Sequence, residues 1–108
     1  MPFGLEGFRV LELAEGVAAA FAGRLLAQYG ADVVKVEPPE GDAARRYDLV
    51  GDGPPEPELS ALFHHLSGGK RSVVGDLETA EGRDRVTRLV AGADIVIEDF
   101  GPAKLERL

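Results

Sequence analysis

The sequence predicts an α/β chain: a mostly parallel sheet with flanking helices. Two observations carry this. Short apolar runs bounded by glycine or proline alternate with helical patterns, in the order strand, helix, strand, loop, helix, strand, helix, strand, helix start. The runs are also filled with Val, Leu and Ile rather than strictly alternating, as expected for strands covered on both faces. Right-handed crossovers are then the default connection.

The first strand is Phe8 to Ala14, bounded by Gly7 and Gly16. A helix from Val17 to Tyr29 follows, with Gly30 placed for a left-handed C-cap. That helix is apolar almost all round and rich in Ala, so it suits close approach to a sheet or a second chain. Arg24 and Gln28 mark its wetter side. Ala31 to Glu37 reads as the second strand, stopped by Pro38 and Pro39.

Residues 38 to 58 change character, with five prolines and three glycines among six acidic side chains. A long excursion of this kind reads as a mobile loop, with one helical turn near Ala43 to Tyr47. Leu59 to Leu66 reads as a short helix carrying Leu59, Leu62, Phe63 and Leu66 on one face. Arg71 to Leu77 is the third strand. Thr79 is the expected N-cap of a helix running to Ala91, with Val86, Leu89 and Val90 as its inner stripe. Gly92 ends that helix, Ala93 to Asp99 is the fourth strand, and Pro102 opens a last helix. An Ala-Asp-apolar-apolar echo at Ala31 and Ala93 marks two helix-to-strand joints rather than a repeat.

Composition removes several function classes. The 12 Lys and Arg residues against 19 Asp and Glu leave no basic face for general nucleic-acid binding. The absence of Cys excludes a disulfide scaffold, a thiolate zinc site and a Cys nucleophile. No apolar run reaches the length of a membrane span, and residues 1 to 15 lack a signal-peptide core. The expectation is a cytoplasmic chain of 108 residues, with no membrane and no nucleic acid as partner. Its core would be marginal at that size.

The turn after the first strand has no G-x-G-x-x-G, which argues against a standard NAD site, and no P-loop occurs. Gly68-Gly69-Lys70-Arg71-Ser72 has two readings, a phosphate-friendly turn or a plain turn with solvated cations. His64 and His65 are adjacent on a helix, point about 100° apart, and cannot share a metal. The acidic residues of the 38–58 loop fit no calcium spacing. More informative are the carboxyl ends of the parallel strands, where open α/β sheets hold ligands. Phe100 there suits stacking on a flat ring, and Asp76 or Asp99 accepting from a ligand; the alternative is ordinary strand-end polar residues and a core Phe.

Taken together, these segments resemble the family III CoA-transferases, a group that includes formyl-CoA and carnitine-CoA transferases and α-methylacyl-CoA racemase. The resemblance is carried by Leu5 to Leu13 (LEGFRVLEL), Leu25 to Glu37 (LLAQYGADVVKVE), Gly69 to Val74 (GKRSVV), Asp76-Leu77, Ala80 to Arg83 (AEGR) and Ala93 to Pro102 (ADIVIEDFGP). It covers nearly the whole chain, in order.

The resemblance implies a fold, a large domain of Rossmann-like α/β build with a mostly parallel sheet and flanking helices, and a CoA-transferase that moves CoA between an acyl-CoA and a carboxylic acid. An Asp carboxylate attacks the thioester in such enzymes, splitting one hard exchange into easier covalent steps. Coenzyme A or acyl-CoA is then a substrate, and no tightly bound cofactor or metal is expected. Two chains interlock in the family, which implies a homodimer. The implied CoA contacts are Val17 and Ala18 beside the thioester, Gly75, Asp76, Leu77 and Glu78 after the third strand, Asp99, Phe100 and Gly101 after the fourth, and Arg107 on phosphate. Phe100 is the implied adenine neighbour.

Departures from the family pattern are Pro38 in place of a base, Ala18-Ala19-Ala20 in place of Ala-Gly-Pro, Gly75 in place of an apolar residue, and Asp99 in place of Asn. Lost cations and an added carboxylate would weaken phosphate binding at close range. The family's nucleophile lies beyond residue 108, so no catalytic residue is expected here. The chain reads as the N-terminal part, residues 1–108, of the larger family domain. A racemase segment and a non-catalytic assembly module of the same fold are the alternatives.

Overall fold

The computed structural model describes residues 4–46 and 60–108. Four parallel strands form one sheet: β1 (Arg9–Leu13), β2 (Asp32–Glu37), β3 (Arg71–Val74) and β4 (Ile95–Glu98). Their order is β3-β2-β1-β4, so the chain steps outward to β3 and then crosses back to place β4 against the free side of β1. Leu11 stands opposite Val34 on one neighbour and Val96 on the other. This reversal beside β1 creates a crevice at the carboxyl ends of the strands.

Helices cover both faces. On one side lies α1 (Val17–Gln28), whose small residues Ala19, Ala20, Gly23 and Ala27 face the sheet. Their spacing is a helical stripe, and their size brings the helix axis close to β1 and β2. The bulky residues Val17, Phe21, Leu25 and Tyr29 are left outward, each between 39% and 56% exposed. The expected wet side is therefore only partly right: Gln28 is exposed, whereas Arg24 is half-buried and donates to the His65 carbonyl at 2.6 Å. Gly30, at φ 103°, closes α1 as expected, with its N–H on Ala27 and the Ala31 N–H on Leu26.

On the opposite face α3 (Ala80–Ala91) packs Val86, Leu89 and Val90 against Leu11, Leu13 and Val36. Val86 is fully buried, which contributes about 1.5–3 kcal/mol for a side chain of this size. Thr79 caps α3 by accepting from the Gly82 N–H at 2.9 Å. The remaining helices are short. α2 (Ala61–Ser67) is capped by Ser60, and α4 (Pro102–Leu105) starts with proline in its first turn.

Strands β3 and β4 are shorter than the apolar runs suggest. Gly75 still donates its N–H to the Glu37 carbonyl at 2.9 Å, but the Asp76 side chain then accepts from the Glu78 N–H at 3.0 Å, and this turn takes Asp76 and Leu77 out of the sheet. Asp94 bonds the Arg9 N–H through its carboxylate before β4 begins. Residues 38–46 are fastened to the sheet rather than free, and hold the expected turn as a 3-10 segment at Ala43–Arg46. The rest of the expected loop, and Leu59, lie outside the described residues.

Candidate functional site

Strand β1 alternates Val10, Glu12 and Ala14 toward α1 with Leu11 and Leu13 toward α3. This period buries a carboxylate: Glu12 is completely buried. Lys35 stands beside it on β2 and Lys70 reaches in from the turn before β3. Their ammonium groups lie 3.5 and 2.5 Å from Glu12. Both Glu12 oxygens meet these cations at ion-pair distance without a hydrogen bond of good angle. Lys70 also donates to the Ala20 carbonyl at 2.7 Å. Burial pulls Lys70 below the usual lysine range, opposed by Glu12 and reinforced by Lys35. Lys70 is thus a core cation with a side chain 1% exposed, which overturns the solvated-turn reading of Gly68 to Ser72 for this residue.

The cluster continues toward the carboxyl ends. Lys35 is paired with Asp42, and the Asp42 N–H donates to Glu37 at 2.8 Å. Arg45 grips Glu37 through two nitrogens at 2.7 and 3.0 Å, and Ser72 donates to it as well. Burial alone would raise the Glu37 pKa, but Arg45, Ser72 and the Asp42 N–H lower it to about 2. These contacts tie residues 38–46 onto β2.

That segment forms one wall of a cleft of about 380 Å³ over the strand ends. Ala14 and Glu15 lie at its base, Gly75 to Glu78 form the opposite wall, and Phe100 and Lys104 close one side. Gly75 is required by packing, since a Cβ there would sit 2.8 Å from both Val36 and Val86. Lys104 lies 4.2 Å from the Phe100 ring centre and pairs with Glu15. Arg46 lines the cleft with its guanidinium on the Glu40 carbonyl at 3.1 Å. Carboxylates outnumber cations in the lining, but Glu15, Asp42 and Glu78 are already paired with Lys104, Lys35 and Arg107.

Of the residues singled out from sequence, Gly75, Asp76, Leu77, Glu78 and Phe100 come together around this cleft. Val17, Ala18, Asp99, Gly101 and Arg107 do not line it. Val17 lines an adjoining groove, and Arg107 is held by Glu78 at 2.8 Å. The Asp99 carboxylate accepts the N–H groups of Glu15 and Gly16 at 2.6 and 2.7 Å. Residues 38–43, Arg46 and Lys104 were not singled out as ligand contacts. The available signal was their chain position directly after β2 and β4, at strand carboxyl ends.

The profile of CoA-transferase family III matches residues 5–108. The chain belongs to this family. The succinate–glutarate CoA-transferase of Agrobacterium fabrum is 50% identical over 104 residues, covering 89% of this chain and 25% of that protein. A probable fatty acyl-CoA transferase of Mycobacterium tuberculosis is 42% identical over 104 residues, covering 96% and 26%. The crystal structure of a CAIB/BAIF family protein from Brucella suis superposes with a TM-score of 0.82 at 42% identity, over 99% of this chain and 28% of that one. This member of CoA-transferase family III therefore spans about a quarter of the length of the curated relatives it matches. No helix among its described residues is long and apolar enough to cross a membrane.

Proposed function

We propose that this chain supplies part of the CoA site of a cytoplasmic CoA-transferase that moves CoA from an acyl-CoA to a carboxylic acid. The observation that carries this reading is the cleft at the strand carboxyl ends, where an aromatic ring and two cations face the space between β1 and its neighbours. Phe100 stacks on the adenine, while Arg46 and Lys104 meet phosphate oxygens. Lys104 leaves Glu15 to do so; that pair is exposed and contributes little to stability. Arg107 joins them on leaving Glu78, a still more exposed partner. Val17 and Ala18 lie beside the thioester, at the start of α1, where no side chain caps the helix. The chain acts as a homodimer in this reading. None of its own acidic residues is assigned the nucleophile.

The test is titration calorimetry of the full protein with CoA, paired with an exchange assay between an acyl-CoA and a panel of carboxylic acids. CoA binding in the micromolar range that weakens in Arg46→Ala supports the reading. Failure to bind CoA at millimolar concentration overturns it.

A further inference from the structure

A second concavity adjoins the cleft. It runs between the start of α1 and α2, has a volume of about 490 Å³, and is walled by Val17, Ala20, Ala44, Leu62, Phe63 and Leu66. Glu15, Asp42 and Ala43 line both spaces, so the groove opens directly from the base of the cleft. Among the described residues that line it, Lys35 and Asp42 are paired with each other and Lys35 also with Glu12, while Glu15, left by Lys104 in the CoA reading, stands at the mouth beside the cleft.

We propose that this groove takes the apolar acyl chain of the acyl-CoA, and so selects a chain of several carbons over a short or dicarboxylic one. The inference rests on the CoA reading of the cleft. Three physical arguments support it. The groove begins at Glu15, Gly16 and Val17, and the CoA reading puts the thioester beside Val17. A chain laid along it covers Val17, which is 56% exposed. Finally, a terminal carboxylate would enter a space whose only ammonium among the described residues, Lys35, already has two carboxylate partners, and would lose its hydration without a new counter-charge. Leu62, half-buried on α2, is the residue that sets the preference.

The experiment is titration of the full protein with CoA, acetyl-CoA, hexanoyl-CoA and succinyl-CoA. Each fully buried methylene strengthens binding about fourfold. For an open groove, hexanoyl-CoA is expected to bind roughly tenfold or more tightly than acetyl-CoA, with succinyl-CoA no tighter than acetyl-CoA. Leu62→Gln is expected to reduce the hexanoyl gain to about threefold or less. Equal affinity for acetyl- and hexanoyl-CoA, a preference for succinyl-CoA, or a full gain retained in Leu62→Gln overturns the inference. The chain-length series on the unaltered protein decides the matter even where Leu62→Gln does not fold. Absence of CoA binding overturns the parent reading and this one with it, whereas CoA binding without a chain-length gain overturns only this one.

Discussion

The carboxylate of Asp99, at the end of β4, holds the backbone of Gly16 at the end of β1. Its Oδ2 accepts the Gly16 N–H at 2.7 Å while Oδ1 takes the Glu15 N–H at 2.6 Å. A Cβ on Gly16 would lie 2.9 Å from Asp99 Oδ2, so any larger residue there would push the carboxylate off these bonds. This bond pair spans the point where the strand order reverses, and so fixes the turn from which both cleft and groove start. The acidic residue that looked unfavourable for a polyanionic ligand has its charge directed to the backbone instead.

Asp99→Asn keeps one acceptor oxygen and turns an NH2 toward the other N–H. A hydrogen bond to a charged group is worth about 1.5–3 kcal/mol, less where exposed. The expected destabilisation is about 1 kcal/mol for Asn and about 2 kcal/mol for Ala. Urea unfolding of the full protein measures both, and equal stability of all three proteins would refute the pinning role.

Gly23→Ala sets two effects against each other. Alanine in a helix interior gains about 1 kcal/mol over glycine. A Cβ at this site, however, overlaps Glu12 Oε1 and comes within 3.2 Å of the Lys70 side chain. Overpacking costs about 1–3 kcal/mol, and the ion pair leaves Glu12 no free direction. A net loss of stability is expected. A rise in Tm for this variant would show that α1 sits further from the sheet.

Glu37 makes stability depend on acid. Its folded pKa of about 2 lies below its ordinary value of 4.5. The unfolded state therefore binds the proton first, and the contribution of Glu37 is complete above pH 4.5 and lost as pH falls toward 2. Glu37→Gln is expected to flatten the urea midpoint between pH 4.5 and 2 relative to the unaltered protein. An unchanged slope would show that Arg45 and Ser72 do not hold the carboxylate.

Lys70→Met leaves buried Glu12 with Lys35 alone, at 3.5 Å. Breaking a buried pair in this way costs about 3–5 kcal/mol, whereas replacing both partners with apolar residues is often neutral. The double variant Glu12→Met/Lys70→Met is thus expected to recover most of the loss. Additive losses in denaturant unfolding would argue that the two side chains act separately.

Arg46→Ala and Lys104→Ala are each expected to weaken CoA binding about tenfold, as the loss of one charge-assisted contact. Raising the salt concentration should weaken binding by the unaltered protein more than by the double variant. An equal salt dependence would place the phosphates away from these cations.

Much of the architecture is visible in local chemistry. Gly30, Thr79 and Pro102 mark helix ends because each satisfies or removes specific backbone groups within a few residues. The parallel sheet follows from apolar runs separated by helices. The cleft is half legible: Gly75 to Glu78 and Phe100 follow from the rule that ligands sit at strand carboxyl ends. The same rule points to residues 38–43, but a proline-rich acidic stretch looks like solvated loop until its anchors are known. Those anchors are Lys35 and Glu37, whose positions in β2 face α1.

The elements, their order and the family are legible in short-range pattern: period, caps and breakers. What the charges do depends on contacts between distant parts of the chain. Glu12, Lys35 and Lys70 are far apart in the chain, and only the pairing of β1 with β2 and the return of the turn before β3 bring them together. Burial then turns them from solvated side chains into a fixed ionic core, since a desolvated charge must keep its partner. A longer stretch still, 83 residues, separates Asp99 from Gly16, and no local pattern records that bond.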